Sequence, residues 1–205
     1  MSDNTKVTFI IPSIGRDTLK TTICSLINQT NPNWKAIIIF DGISPTEIIN
    51  DNRITVVQCS KLGEGPNSAG LVRNYGILLA ETEWIAFVDD DDSIKSTYID
   101  IFLNEIIRYE NDVIIFRMIF GGAIIPNNCT DNFYMAQVGI SFAVKRCIFE
   151  SGIIFEPSNV EDFNLLDKIR QNKYKMMISP YLLYSVRNYE IENNDTICNR
   201  VLINH

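Results

Sequence analysis

A chain of 205 residues that is 46% hydrophobic and 21% charged can bury a large core, and its length suits one domain better than two. Its formal net charge of -7 excludes a broad electrostatic grip on nucleic acid or anionic lipid, because an acidic surface repels polyphosphate backbones. No apolar run reaches the ~18 residues that would suggest a membrane span. The polar start, Met1 to Lys6, lacks the apolar stretch of a secretory signal, so the expected location is cytoplasmic. Five cysteines, odd in number and without Cys-x-x-Cys spacing, predict neither a disulfide framework nor a zinc site.

Lys6 to Ile11 is a β-branched, nearly all-apolar run closed by Pro12, the pattern of a strand buried on both faces of a parallel sheet. A helix follows, with Asp17 or Thr18 as its cap and Leu19, Ile23, Leu26 and Ile27 on one face, ending near Asn31-Pro32. Trp34 to Phe40 reads as a second buried strand, closed by the turn pair Asp41-Gly42. Ile54 to Val57 is a short third strand. The polar loop Lys61 to Asn67 leads into a helix over about Ser68 to Ala80, and Trp84 to Val88 is another buried strand.

Helical periodicity returns from Ser96 to Tyr109, followed by the strand Val113 to Phe116. Gly121 to Asn132 reads as a polar loop, and Gly139 to Phe155 as a mixed segment with strands and a short helix near Arg146. Glu161 to Arg170 is a helix and Tyr174 to Tyr184 a last strand. This alternation predicts a single α/β domain with a doubly wound, mainly parallel sheet, helices on both faces, and mixed pairing towards the C-terminus. Such sheets bind ligands outside the carboxyl ends of their strands.

Two acidic motifs fall at such ends. Asp89-Asp90-Asp91-Asp92 follows a buried strand, and four adjacent carboxylates repel one another unless a cation such as Mg²⁺ or Mn²⁺ sits among them. In an extended strand end Asp89 and Asp91 point the same way, so that one can hydrogen-bond a sugar hydroxyl while the other holds a metal on a diphosphate. Asp92 reads as a cap for the turn or helix that follows. Asp41, at a neighbouring strand end, is placed to accept from a base N–H or a ribose hydroxyl. The positions of Arg73 and Asn74, in the helix before the acidic strand, leave their roles open. Glu161 and Asp162 begin a helix, where the dipole alone accounts for acidic residues and a catalytic base is also compatible.

Together these segments resemble the family 2 glycosyltransferases, with their GT-A fold. The resemblance is carried by Val7-Thr-Phe-Ile-Ile-Pro-Ser-Ile-Gly-Arg16, Ser25 to Trp34, Ile38-Ile-Phe-Asp-Gly42, Ala69-Gly-Leu-Val-Arg-Asn-Tyr-Gly76, Phe87-Val-Asp-Asp-Asp-Asp92 and Val160-Glu-Asp-Phe163, in order over residues 6 to about 170. It implies a nucleotide-sugar-binding half over about 6–120 and an acceptor-side half over about 121–205. Pro12, Ser13, Arg16, Asp41, Arg73, Asn74, Asp89 and Asp90 would then belong to the donor site, with Asp41 on the base, most often uracil. Asp91 would be the ligand of Mn²⁺ or Mg²⁺, and Asp162 the general base. Glu161 and Arg187 are candidate acceptor or phosphate contacts. Ile14 and Gly15 stand where many relatives have an aromatic residue and Asn, and Phe40 replaces the first Asp of the usual Asp-Asp-Gly.

The expected activity is inverting, metal-assisted transfer of a sugar from a nucleoside-diphosphate donor, UDP-linked by preference, to a hydroxyl of a glycan, lipid-linked or protein acceptor. Two rivals remain at this level. One is a phosphatase of haloacid dehalogenase type, with Asp89 as nucleophile and Asp91 as acid. The other is a catalytically silent domain that binds a nucleotide or glycan.

Overall fold

A computed structural model describes residues 5–45, 48–63, 68–127, 130, 132–188 and 202–203. One large sheet runs through the domain, its strands ordered in space as residues 54–59, 34–41, 7–13, 84–87, 142–145, 113–120, 176–185 and 93–94, with 123–125 paired to 113–120. Its strands are β1 (Val7–Ser13), β2 (Trp34–Asp41), β4 (Ile54–Cys59), β5 (Trp84–Phe87), β6 (Ser93–Ile94), β7 (Val113–Phe120), β8 (Ala123–Ile125), β9 (Phe142–Lys145) and β10 (Met176–Ser185). A separate pair joins β3 (Ile48–Ile49) to β11 (Leu202–Ile203). The flanking helices are α1 (Leu19–Ile27), α2 (Ala69–Leu79), α3 (Tyr98–Arg108), α4 (Arg146–Glu150) and α5 (Glu161–Gln171).

The first half is parallel: β1 pairs with β2 and β5, and β2 with β4. The second half is mixed, because β9 runs antiparallel to both β5 and β7 while β10 returns parallel to β7. This is the single α/β domain, parallel then mixed, that the sequence predicts, in a GT-A-like arrangement. The all-apolar runs are the central strands: Phe9, Ile10, Ile11, Ile38, Ile39 and Phe40 are wholly buried. Strands with helices on both faces have no solvated side, so their sequences do not alternate.

Several boundaries shift for physical reasons. α1 ends at Ile27, short of Asn31-Pro32, and its N-cap Thr18 makes no side-chain cap bond. The strand expected over Tyr174 to Tyr184 runs from Met176 to Ser185. The strand beginning at Val113 runs on to Phe120 and turns through Gly121 and Gly122, at φ 55° and 82°, into β8. The first part of the expected Gly121–Asn132 loop is therefore a hairpin, built on the left-handed backbone that glycine tolerates. Residues 64–67 of the Lys61–Asn67 loop lie outside the described residues, as do 128, 129 and 131 of the second loop. Cys24 is disulfide-bonded, at odds with the expected cytoplasmic location, while Cys59 and Cys147 are free.

Helix α2 sets the depth of the site, and Gly76 sets its distance from the sheet. A Cβ at Gly76 would lie 2.5 Å from Ile10 Cγ2 and 2.6 Å from Ile39 Cδ1, so α2 rests directly on β1 and β2. Gly76→Ala should lower unfolding free energy by ~1–3 kcal/mol through overpacking, outweighing its gain in helix propensity of about 1 kcal/mol. Urea denaturation checks this, and equal or greater stability would mean that α2 can back away from the sheet.

Candidate active site

Because β1, β2 and β5 are parallel, their carboxyl ends meet at one sheet edge and bring Ser13, Asp41 and Asp89 together. A cleft of about 380 Å³ opens there, and its lining includes Pro12, Ser13, Arg16, Asp41, Asp89 and Asp90, with Lys61, Ser68 and Ala69 across from them. Asp41 is buried, and its Oδ1 accepts from the Leu62 N–H at 2.6 Å, fixing the start of the following loop.

The acidic run is a turn rather than the extended strand end expected from the sequence. Residues 90 and 91 form its corner, and the Asp92 N–H donates to the Asp89 carbonyl at 3.1 Å. Asp89 and Asp91 consequently meet different partners. Asp90 turns back to the β1 loop, accepting from Ser13 Oγ at 2.8 Å, the Ile14 N–H at 3.2 Å and Arg16 Nη1 at 2.9 Å. Asp91 Oδ2 lies 3.2 Å from Arg16 Nη1 and 4.0 Å from Arg187 Nε. Burial raises the Asp91 pKa; Arg16 and Arg187 oppose the shift while Asp89 and Asp90 add to it.

Asp92 does not cap the next element. It is buried, accepting from Tyr184 Oη at 2.7 Å and from the Arg187 N–H at 2.9 Å, so it fastens the end of β10 to the acidic turn. Tyr184 Oη also accepts from the Asp89 N–H at 3.2 Å, and Thr22 Oγ1 donates to the Asp92 carbonyl at 2.7 Å. Arg187 itself adopts φ 52° and ψ 40°, a left-handed backbone held by that bond to Asp92.

The centre of the site is Arg73. Its side chain is 2% exposed and its guanidinium reaches Asp89 Oδ1 at 2.6 Å, Glu161 Oε1 at 3.1 Å and Asp162 Oδ1 at 3.8 Å. Burial alone would lower the Arg73 pKa, but the three carboxylates outweigh it and hold the group above its ordinary value. Burial pushes Asp162 up to about 7; Arg73 opposes this, and Asp89 and Glu161 reinforce it. Its buried Oδ1 makes no hydrogen bond. Asn74, next in the helix, donates from Nδ2 to the Phe155 carbonyl at 2.9 Å and accepts its N–H at 3.0 Å, which ties the approach to α5 onto α2.

The sequence reading thus placed Pro12, Ser13, Arg16, Asp41, Asp89 and Asp90 at what is one cleft. Arg73, Glu161 and Asp162 adjoin it, Asp91 and Arg187 form its outer rim, and Asn74 is turned to the backbone of Phe155. It missed Tyr184 and Thr22, which touch the acidic turn only through long-range packing. Among the described residues no group of three or more His, Cys, Asp or Glu side chains is arranged to hold a metal ion. A cation shared with a diphosphate needs only one or two carboxylates.

Removing the Tyr184 hydroxyl leaves the buried Asp92 one donor short. Tyr184→Phe should cost ~1–3 kcal/mol of stability. Burial first, then the field of Asp89, pushes Asp92 up to about 7. This is above its unfolded value of ~3.9, so its contribution to stability is full below about pH 4 and lost as pH rises through 7. The lost bond is charge-assisted only when Asp92 is ionised. The Tyr184→Phe penalty should therefore be larger at pH 8 than at pH 6, and a pH-independent penalty in paired urea titrations would contradict the assignment.

The family model for glycosyl transferase family 2 matches residues 8–137. The glycosyltransferase GlyA of Streptococcus pneumoniae serotype 4 is 24% identical over 193 residues, which is 90% of this chain and 25% of that protein. The glycosyltransferase GlyG of the same organism is 28% identical over 59% of this chain and 40% of that protein. The chain thus spans between a quarter and two-fifths of the length of these relatives. Among solved structures, residues 1–349 of Staphylococcus aureus TarS superpose with a TM-score of 0.71 at 17% identity, over 88% of this chain and 60% of that one, a likeness of fold. With the family match covering well over half of its length, the chain belongs to glycosyl transferase family 2.

Proposed function

We propose that the domain catalyses inverting transfer of a sugar from a nucleoside-diphosphate donor to an acceptor hydroxyl, with Asp162 as general base. The observation that carries the reading is the Arg73 cluster, in which one buried cation joins a donor-side carboxylate, Asp89, to the head of α5 with Asp162. A general base works best with a pKa near the operating pH, and burial pushes Asp162 up to about 7. The acceptor proton goes to that carboxylate as the acceptor oxygen attacks the anomeric carbon, while the nucleoside diphosphate leaves on the opposite face.

In this reading Asp41 and the carboxyl ends of β1 and β2 receive the nucleoside, and Asp89 orients the ribose or sugar. Residues 6–120 form the donor half and 121–205 the acceptor-side half. Mn²⁺ or Mg²⁺ on Asp91 would neutralise charge on the departing diphosphate. Arg16 and Arg187 flank Asp91 and would share the charge of the same phosphates. A uridine donor is supported by TarS, whose fold this chain shares and which has been crystallised with UDP and with UDP-GlcNAc. The acceptor is a hydroxyl of a glycan, lipid-linked or protein substrate. No helix among the described residues is long and apolar enough to cross a membrane.

Family membership and the engagement of Asp89 by Arg73 set aside the phosphatase reading, which needs Asp89 free as a nucleophile. Sugar nucleotides tested by thermal shift should stabilise the protein more with Mn²⁺ than without it. Asp91→Ala should abolish the metal-dependent part, and an unchanged shift would remove Asp91 as the metal ligand. Nucleotide binding without turnover on any acceptor would identify a silent domain.

Asp162→Asn should lower turnover by ~10²- to 10⁴-fold with donor binding retained. Because the base must be ionised, kcat/KM should climb as pH rises through about 7. Full activity in Asp162→Asn, or a flat pH profile in the wild type, would rule out that role.

A further inference from the structure

Arg73 faces three carboxylates and hydrogen-bonds two of them. Its Nη2 donates to Asp89 Oδ1 at 2.6 Å and its Nη1 to Glu161 Oε1 at 3.1 Å. The same Nη1 lies 3.8 Å from Asp162 Oδ1, beyond hydrogen-bonding distance. That buried oxygen has no other donor among the described residues. Two neighbours in the first turn of α5 thus share one guanidinium unequally, and the bond goes to Glu161.

Packing keeps Glu161 in that place. Gly70 precedes Arg73 by three residues in α2, on the same side of the helix. A Cβ at Gly70 would lie 3.0 Å from Phe155 Cβ and 3.8 Å from Glu161 Cγ, so the Glu161 stem rests on α2 where the helix carries no side chain. Ser158 braces the head of α5 from its other end, its Oγ accepting from the Val160 N–H at 3.2 Å and from Asn164 Nδ2 at 3.0 Å.

The two oxygens of a carboxylate share one negative charge, so a cation bonded to either lowers the basicity of both. An arginine bonded to Asp162 would hold it ionised and lower its pKa by ~1–3. The charged groups facing Asp162 are Arg73 from α2, Asp89 from the turn after β5, and Glu161 from its own helix. We propose that Glu161 is a positioning residue that keeps the Arg73 guanidinium off Asp162, and so leaves the Asp162 carboxylate basic enough to take the acceptor's proton. Glu161 touches no substrate in this role and acts through Arg73. The role rests on the reading of Asp162 as general base.

In the whole chain, ¹³C NMR of the aspartate carboxyl carbons gives the titration midpoint of Asp162, its signal identified by loss in Asp162→Asn. The wild-type midpoint should lie at about 7. Glu161→Gln keeps the shape of the side chain and removes its charge, while Glu161→Ala removes the competing acceptor as well. In both variants Arg73 closes on Asp162, and the midpoint should fall by ~1–3 in pH. An unchanged or higher midpoint in either folded variant, or loss of the fold in both, would overturn the role. UDP release from UDP-GlcNAc with Mn²⁺, water serving as acceptor, is the second readout. The rising limb of kcat/KM should follow the midpoint to lower pH, and the plateau should fall about threefold to tenfold because the base is weaker. A lower plateau with limb and midpoint both unmoved would mark a merely structural residue and overturn the role. A midpoint that falls while the limb stays in place would leave the competition for Arg73 standing and remove Asp162 as the base.

Discussion

A single buried cation organises this domain. An isolated guanidinium of that depth would cost several kcal/mol to desolvate, and Arg73 is 2% exposed. It is tolerable only because three carboxylates surround it, from the end of β5 and from the first turn of α5. Glu161 lies 88 positions further along the chain, so the cation on α2 creates a demand that only long-range folding meets. The head of α5 is a favourable place for acidic groups in its own right, through the helix dipole. Docking α5 therefore serves the helix and the arginine together, and it brings Asp162 to the sheet edge with its pKa raised.

The acidic turn extends the same logic. Four consecutive carboxylates would repel one another strongly if they shared one pocket, and the fold disperses them instead. Asp89 goes to Arg73, Asp90 to Ser13 and Arg16, Asp91 to the rim with Arg16 and Arg187, and Asp92 inward to Tyr184. Together these partners tie the turn to the end of β1, to α2 and to β10. Both raised carboxyls at about 7, on Asp92 and Asp162, feel the charge of Asp89.

How much of this was legible follows from the range of each interaction. The buried strands were read from runs such as Val7 to Ile11 and Trp34 to Phe40, because a parallel strand covered on both faces announces itself in composition. Their order fixed the sheet edge, and with it the meeting of Ser13, Asp41 and Asp89. The two-residue β6 carries too few residues for any period, and β8 was hidden because its glycine turn resembles the start of an irregular loop. Asp92 was misread as a cap since its partner, Tyr184, lies 92 positions away. The turn at Asp89–Asp92 replaced the expected extended end because its carboxylates had separate partners to reach, which no local pattern records.

Arg73 and Asn74 make the same point at the scale of two residues. Adjacent positions on a helix point about 100° apart, so the two side chains leave α2 in different directions. Arg73 faces the carboxylates. Asn74 faces Phe155, where its amide supplies one donor and one acceptor to a backbone that lacks a strand neighbour. That clamp sits five residues upstream of Val160, and the Phe155 ring lies 5.5 Å from the Arg73 guanidinium. The asparagine therefore helps fix the segment that delivers Glu161 and Asp162 to the cation beside it. A pair that reads in sequence as two ligands is one ligand and the brace that holds the others in reach.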